Sequence, residues 1–220
     1  MSVFFLIYCY YLLALYFTCA LTGCFLVRRN WALSYKLLVA LSCVTAVEET
    51  LATYSFFRHI NYVGVYNAWA YVEAGTIIYI QLREVTHTWA KRLLILMLML
   101  LSVATIALYL LMPAHPRLNG HFLLFFLFLQ LIATCVALVD ILQSTSDTRL
   151  SARPAAWLAT GMLFYSSIFL VLHIWGFFLP REAVRYYYIF SYAANTCMYS
   201  GFIAAFITLR SHPPTQPASS

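Results

Sequence analysis

Two adjacent carboxylic acids, Glu48 and Glu49, stand near the middle of "SCVTAVEETLATYSFF", residues 42–57, a stretch otherwise apolar enough to lie in hydrocarbon. A third, Glu73, interrupts "YVEAGTIIYIQLR", residues 71–83. Carboxyls in such company can do three kinds of work. They can hold or pass protons, bind a cation or the donor groups of a ligand, or hydrogen-bond neighbouring helices as neutral acids. Neutral polar groups recur in other apolar stretches: Gln130, the run Tyr165, Ser166 and Ser167, and the set Asn195, Tyr199 and Ser200. The candidate intramembrane site is therefore Glu48, Glu49, Glu73, Gln130, Tyr165, Asn195 and Tyr199.

Other constellations are weaker. The six cysteines, Cys9, Cys19, Cys24, Cys43, Cys135 and Cys197, lie inside apolar runs without CxxC or zinc-ligand spacing. They read as small apolar fillers. Gly-rich phosphate loops are absent. No metal ligand, catalytic residue or cofactor is assigned. "FLVLH", Phe169 to His173, resembles the FxxxH element of the intramembrane CAAX-type proteases, and the Glu48–Glu49 pair resembles their double glutamate. The pattern then departs. Ala52 and Thr53 stand where that family has its arginine, and the last apolar stretch has no histidine. At helical rise His173 lies about 30 Å from Arg153, at the outer rim. Membrane zinc hydrolases resembling ceramidases and adiponectin receptors need several membrane histidines, where only His173 comes close to such a place. A microbial rhodopsin needs a lysine in its last helix, and none falls between Arg185 and Arg210. The expectation is a protein that is not an enzyme.

"VYNAWAYVE", residues 65–73, resembles the third span of a family of small seven-helix membrane proteins of Bacteroidota. "RPAAWLATGMLFYSS" and "YIFSYAANTCMYSGFIAAF" resemble that family's last two spans. More widely the chain is similar to the seven-helix sensory segments that precede bacterial kinases, here without the kinase. The resemblance implies a seven-helix fold and no particular activity.

Elements of one kind must position the acids. Of 220 residues 64% are hydrophobic and 9% charged, and the mean hydropathy is +0.82. A single soluble core could not hide so much apolar surface, whereas a bilayer solvates it. A span needs about 20 mostly apolar residues. Seven segments qualify, at about 3–27, 33–57, 65–83, 92–112, 121–142, 155–178 and 186–209. Charged, proline-bearing and turn-forming strings separate them. "LTGC", residues 21–24, has the look of a lipoprotein cleavage site. No basic residue precedes the apolar run and Arg28 and Arg29 follow it, so a first transmembrane helix is expected instead. The end, 211–220, "SHPPTQPASS", reads as a disordered cytoplasmic tail, and no soluble domain is expected beside the helical domain of residues 1–210.

Basic residues orient the chain. Arg28, Arg29, Lys36, Arg83, Lys91, Arg92, Arg149, Arg153 and Arg210 fall on one side, and Arg58, Arg117, Arg181 and Arg185 on the other. Nine against four places the N-terminus outside and the C-terminus in the cytoplasm. Scattered singly or in pairs, these residues form no nucleic-acid stripe, so no nucleic-acid partner is expected. Counted from Lys36, Glu48 lies about 18 Å deep and Glu49 about 20 Å; counted from Arg83, Glu73 lies about 15 Å deep. All three sit near the middle of a core about 30 Å thick. An ionised carboxylate exposed to lipid there costs several kcal/mol, so the acids should face the bundle or a wet cavity. Burial and mutual repulsion should leave at least one protonated near neutral pH. Glu48 and Glu49 are about 100° apart around a helix, so they cannot share one partner equally.

The expectation is an all-α polytopic bundle of seven transmembrane helices in the cell membrane, the bacterial inner membrane. Its leading function is a receptor-like or sensory module that binds a small ligand in a cavity opening outward. With short loops and a short tail, it should signal through a partner protein. The alternatives are a transporter or channel moving protons or cations on Glu48, Glu49 and Glu73, and a structural subunit of a membrane complex. Scarce Gly and Pro within the spans argue against the broken helices of transporters. The bilayer is a partner under every reading.

Overall fold

A backbone in hydrocarbon must satisfy its N–H and C=O groups within its own segment, so each apolar stretch is expected to be helical. The computed structural model describes residues 3–27, 31–60, 63–111, 118–144, 150–176 and 184–211, and among them it is all-helical, without strands. The helices are α1 (Val3–Leu26), α2 (Leu33–Phe57), α3 (Val63–Glu84), α4 (Thr88–Leu111), α5 (Leu118–Gln143), α6 (Pro154–Gly176) and α7 (Val184–Ser211). A 3₁₀ turn, Leu150–Ala152, leads into α6. Hydroxyls buried within the helices turn back on their own backbone: Ser42 donates to the Leu38 carbonyl, Thr45 to Leu41 and Thr134 to Gln130. Such residues need no partner elsewhere.

Among the described residues five helices are long and apolar enough to cross a membrane, over Leu6–Leu26, Leu33–Phe57, Thr88–Leu110, Phe122–Gln143 and Pro154–Trp175. The chain is accordingly a multi-pass integral membrane protein. Its outer surface agrees, because Phe25, Val103, Ile106, Tyr109 and Leu110 all point away from the bundle. Helices α3 and α7 have the length but fall short in apolarity. Glu73, Gln81, Arg83 and Glu84 lower the hydropathy of α3, and α7 holds five tyrosines besides Ser191, Asn195 and Thr196.

Consecutive helices pack against each other from α1 to α7, and α1 meets α7 to close a ring. Helix α3 sits inward and also touches α5 and α6. It faces two apolar cores. One joins Ile77 and Ile80 to Leu38, Leu41, Met162, Phe202 and Phe206; the other joins Tyr71, Ala74 and Ile78 to Leu94, Phe126 and Ala133. The α6–α7 contact is the most extensive, and two glycines make it so. A methyl group on Gly201 would come within 2.8 Å of the Trp157 carbonyl oxygen and 2.9 Å of the Gly161 backbone. Only residues without a side chain let the two backbones approach that far.

One end of the bundle is basic, with Lys36, Arg83, Lys91, Arg92, Arg153 and Arg210; α2, α4 and α6 begin there. It is also well fastened. Ser34 and Tyr35 on α2 donate to the Glu84 carboxylate at the end of α3, Tyr35 at 2.9 Å. Gln81 donates to Thr134 across α3 and α5 at 3.0 Å. The buried Asp140 carboxylate of α5 accepts the backbone N–H groups of Thr86 and His87, both at 2.8 Å, together with the His87 ring at 2.9 Å. It thereby caps the turn that starts α4. Arg153 closes the C-terminal end of α5 by donating to Ser144. Arg28, Arg29, Arg117, Arg149 and Arg181, which helped to orient the sequence, lie outside the described residues, as do residues 212–220 of the expected tail.

Candidate functional site

The expected polar centre takes the form of a cavity of about 430 Å³ between α1, α2, α3, α5, α6 and α7. Each helix supplies one stripe, repeating at three or four residues. Helix α6 presents Tyr165, Phe169 and His173; α3 presents Trp69 and Glu73; α2 presents Thr45, Glu49, Ala52, Thr53 and Phe56. Helix α1 adds Tyr8, Leu12 and Tyr16, and α7 adds Tyr187, Tyr188, Ser191, Asn195 and Tyr199. The deepest of these residues, Tyr16, Thr45, Glu73, Tyr165 and Tyr199, lie near the midpoints of their helices. The rest lie toward the end opposite the basic one.

Five expected site residues, Glu49, Glu73, Tyr165, Asn195 and Tyr199, therefore line one cavity. Gln130, 4% exposed, sits behind its wall. It borders a small adjoining space of about 40 Å³ together with Glu73 and Tyr165. Glu48 is not part of the lining. It is 6% exposed, and neither of its carboxyl oxygens has a protein partner. It nevertheless lies close enough to Glu49 and Glu73 for the three charges to interact.

Glu49 is held by a chain of hydrogen bonds. It bonds the Tyr16 hydroxyl. Tyr16 lies 3.4 Å from Asn195 Oδ1, and the Asn195 amide nitrogen lies 2.9 Å from the Ser191 carbonyl. A carbonyl can only accept, so the Asn195 nitrogen faces Ser191 and Oδ1 faces Tyr16. Tyr16 thus stands between Glu49 of α2 and Asn195 of α7. Above it, Tyr8 and Ser191 share a hydroxyl contact of 2.8 Å.

Glu73 differs. Its Oε1 is buried without a protein partner, and so is the Trp69 indole nitrogen one turn away. Aromatic rings continue the wall outward: Tyr165 and Phe169 have centroids 4.7 Å apart, Phe169 and His173 5.9 Å, and His173 and Tyr187 6.3 Å. His173, read from the sequence as a rim residue, shares the cavity with Glu49 and Glu73, its Nδ1 2.9 Å from the Phe169 carbonyl. Among the described residues the lining contains two carboxyls and neither lysine nor arginine. No group of three or more His, Cys, Asp and Glu is placed to hold a metal ion among the described residues.

Sequence reasoning missed Tyr8, Tyr16, Trp69, Phe169 and Tyr187. Two signals were there to be read. Tyr16 lies in the middle of a span, where anchoring at the headgroups does not explain a tyrosine. Trp69 precedes Glu73 by four residues, on the same helix face. No family model matches the chain, and neither a curated protein nor a solved structure does.

Proposed function

We propose that the chain is a seven-span receptor-like module that binds a small ligand in this cavity and signals through a partner protein. The observation that carries the reading is that the cavity stops halfway. Beneath Tyr16, Thr45 and Glu73 the bundle is filled by Leu38, Leu41, Ile77, Ile80, Met162, Phe202 and Phe206, all buried. Below that layer come the hydrogen bonds of the basic end. A site with a wide aromatic half and a packed, fastened half suits occupancy better than passage. Its volume falls in the range of small-molecule sites, about 300–1,000 Å³.

Packing and charge support this topology. Helices α3 and α7, of 22 and 28 residues, pack beside helices apolar enough to span, so they share those helices' depth. With all seven crossing, the basic end faces the cytoplasm and the cavity faces outward. The likeness of α3, α6 and α7 to Bacteroidota proteins supports a bacterial inner membrane. We read the cavity as a binding site and not a catalytic one, since the Phe169–His173 element serves here as one stripe of an aromatic wall.

The rival is a transporter using the glutamates. Purified protein in liposomes loaded with a pH-sensitive dye separates the two. Under a proton, sodium or potassium gradient, flux should not exceed that of empty liposomes. A flux that disappears in Glu73→Gln would put the transporter in place of the receptor.

A further inference from the structure

We infer that the ligand is a protonated organic amine with an apolar, preferably aromatic, body, and that Glu73 is its counter-ion; the inference rests on the receptor reading above. Three features of the cavity point the same way. The first is charge. Among the described residues its lining has Glu49 and Glu73 and neither lysine nor arginine, so a carboxylate or phosphate would meet like charge from the acids there. The second is the wall. Trp69, Tyr165, Phe169 and Tyr199 line it together with the acids. Aromatic faces attract weakly hydrated organic cations and supply little to a bare metal ion, which needs a shell of oxygen, nitrogen or sulfur ligands.

The third feature is the pair of unpartnered atoms. Glu73 Oε1 is a buried acceptor lacking a donor, and Trp69 Nε1 is a buried donor lacking an acceptor. They belong to residues four apart on α3, about 6 Å along the helix axis. An ammonium group donating to Glu73 satisfies the first. A hydroxyl, ether or carbonyl oxygen a few bonds away in the same molecule satisfies the second. Glu49 is the poorer counter-ion because Tyr16 already engages it. The chain from Tyr16 through Asn195 to Ser191 ties Glu49 into the wall. Division of labour between two acids of one cavity thus follows from their partners: Glu49 is structural and Glu73 is free to pair. The ligand enters from the outer half, where Tyr187 and His173 line the upper wall.

The test compares three probes of matched shape on the purified full-length protein in detergent: 2-phenylethylamine, 2-phenylethanol and 3-phenylpropionate. Binding is read by calorimetry and by the shift in melting temperature. The amine should bind at least tenfold more tightly than the alcohol, and the carboxylate should not bind. Glu73→Gln, which keeps size and hydrogen bonding, should weaken the amine at least tenfold and leave the alcohol unchanged. The preference among probes is measured on the wild-type chain, so it stands even if a variant fails to fold. Alcohol or carboxylate binding as tightly as amine, or amine binding indifferent to Glu73→Gln, would overturn the amine and leave a receptor for another ligand class. Absence of binding by all three likewise overturns the amine, and the liposome flux measurement then decides whether the receptor reading stands without it.

Discussion

Glu48 and Glu49 are neighbours in sequence with opposite circumstances, and their substitution should separate structural cost from structural use. Glu48 is buried with both oxygens unpartnered, the costliest way to hold a carboxyl in a low-dielectric bundle. Glu49 is bonded to Tyr16 in a chain that reaches Ser191. Glu48→Leu should therefore stabilise the protein, by about 1–3 kcal/mol, the cost of a buried group without a partner. Glu49→Leu should destabilise it, by about 0.5–1.5 kcal/mol, the worth of the hydrogen bond lost between Glu49 and Tyr16. Thermal unfolding in a single detergent decides the matter. A Glu48→Leu variant that melts below wild type would mean that Glu48 has a partner in the working protein, and a Glu49→Leu variant that melts with wild type would mean the chain carries no weight. The sequence was informative about the acids in two respects. Their depth followed from helical rise, and their 100° offset meant that only one could face a given partner. The small residues Thr45 and Ala52 beside Glu48 favoured that acid as the one turned toward α3, yet Glu49 is the one that lines the cavity with Glu73, because the choice depends on how α1 and α3 are rotated around α2. Tyr16, the residue that singles out Glu49, comes from a helix in which only apolar character had been noted.

At the level of elements, helix existence was legible and helix ends less so. All seven apolar segments correspond to helices, since hydrocarbon leaves the backbone no other way to pair. Helix α4, however, starts at Thr88, ahead of Lys91 and Arg92, and α3 continues through Arg83 to Glu84. Apolar counting measures the thickness of hydrocarbon, whereas helices run on into the headgroups and long basic side chains reach back to water. Asp140 was passed over although its position carried a signal. An acid in the last turn of a helix opposes the helix dipole, so its negative charge has to serve something else. What it serves is the turn before α4, through the backbone of Thr86 and His87. Asp140→Ala should lower stability by about 1.5–3 kcal/mol, the usual worth of hydrogen bonds to a charged group. It should loosen the α3–α4 turn first, seen as faster amide hydrogen exchange at Thr86, His87 and the first turn of α4. Uniform exchange across the bundle, or none beyond wild type, would argue against a local cap. Asp140→Asn offers no rescue, because its amide nitrogen would face one of the two backbone donors.

For the whole molecule the decisive quantity is which end of the bundle faces water on which side. Two independent asymmetries run along the same axis. Lys36, Arg83, Lys91, Arg92, Arg153 and Arg210 gather at the end where α2, α4 and α6 begin, against Arg58 and Arg185 at the other, and the cavity occupies that opposite half. The first asymmetry was visible in sequence because charge is a local property. The second was not, since it arises from the mutual rotation of six helices, and no single stripe contains it. Taken together they make orientation a functional prediction: if the basic end is cytoplasmic, the cavity samples the outside. Reporter fusions after Arg29, Lys91, Arg149 and Ser220 should read as cytoplasmic. Fusions at Tyr62, Asn119 and Glu182 should read as external. The pattern also settles the two helices whose hydropathy falls short. If α3 did not cross, the reporter at Lys91 would move to the outside while that at Tyr62 stayed there. If α7 did not cross, the reporters at Glu182 and Ser220 would share one side. An external reading at Ser220 with a cytoplasmic one at Glu182 would invert the last crossing, turn the wide half of the cavity toward the cytoplasm, and make any ligand an intracellular one.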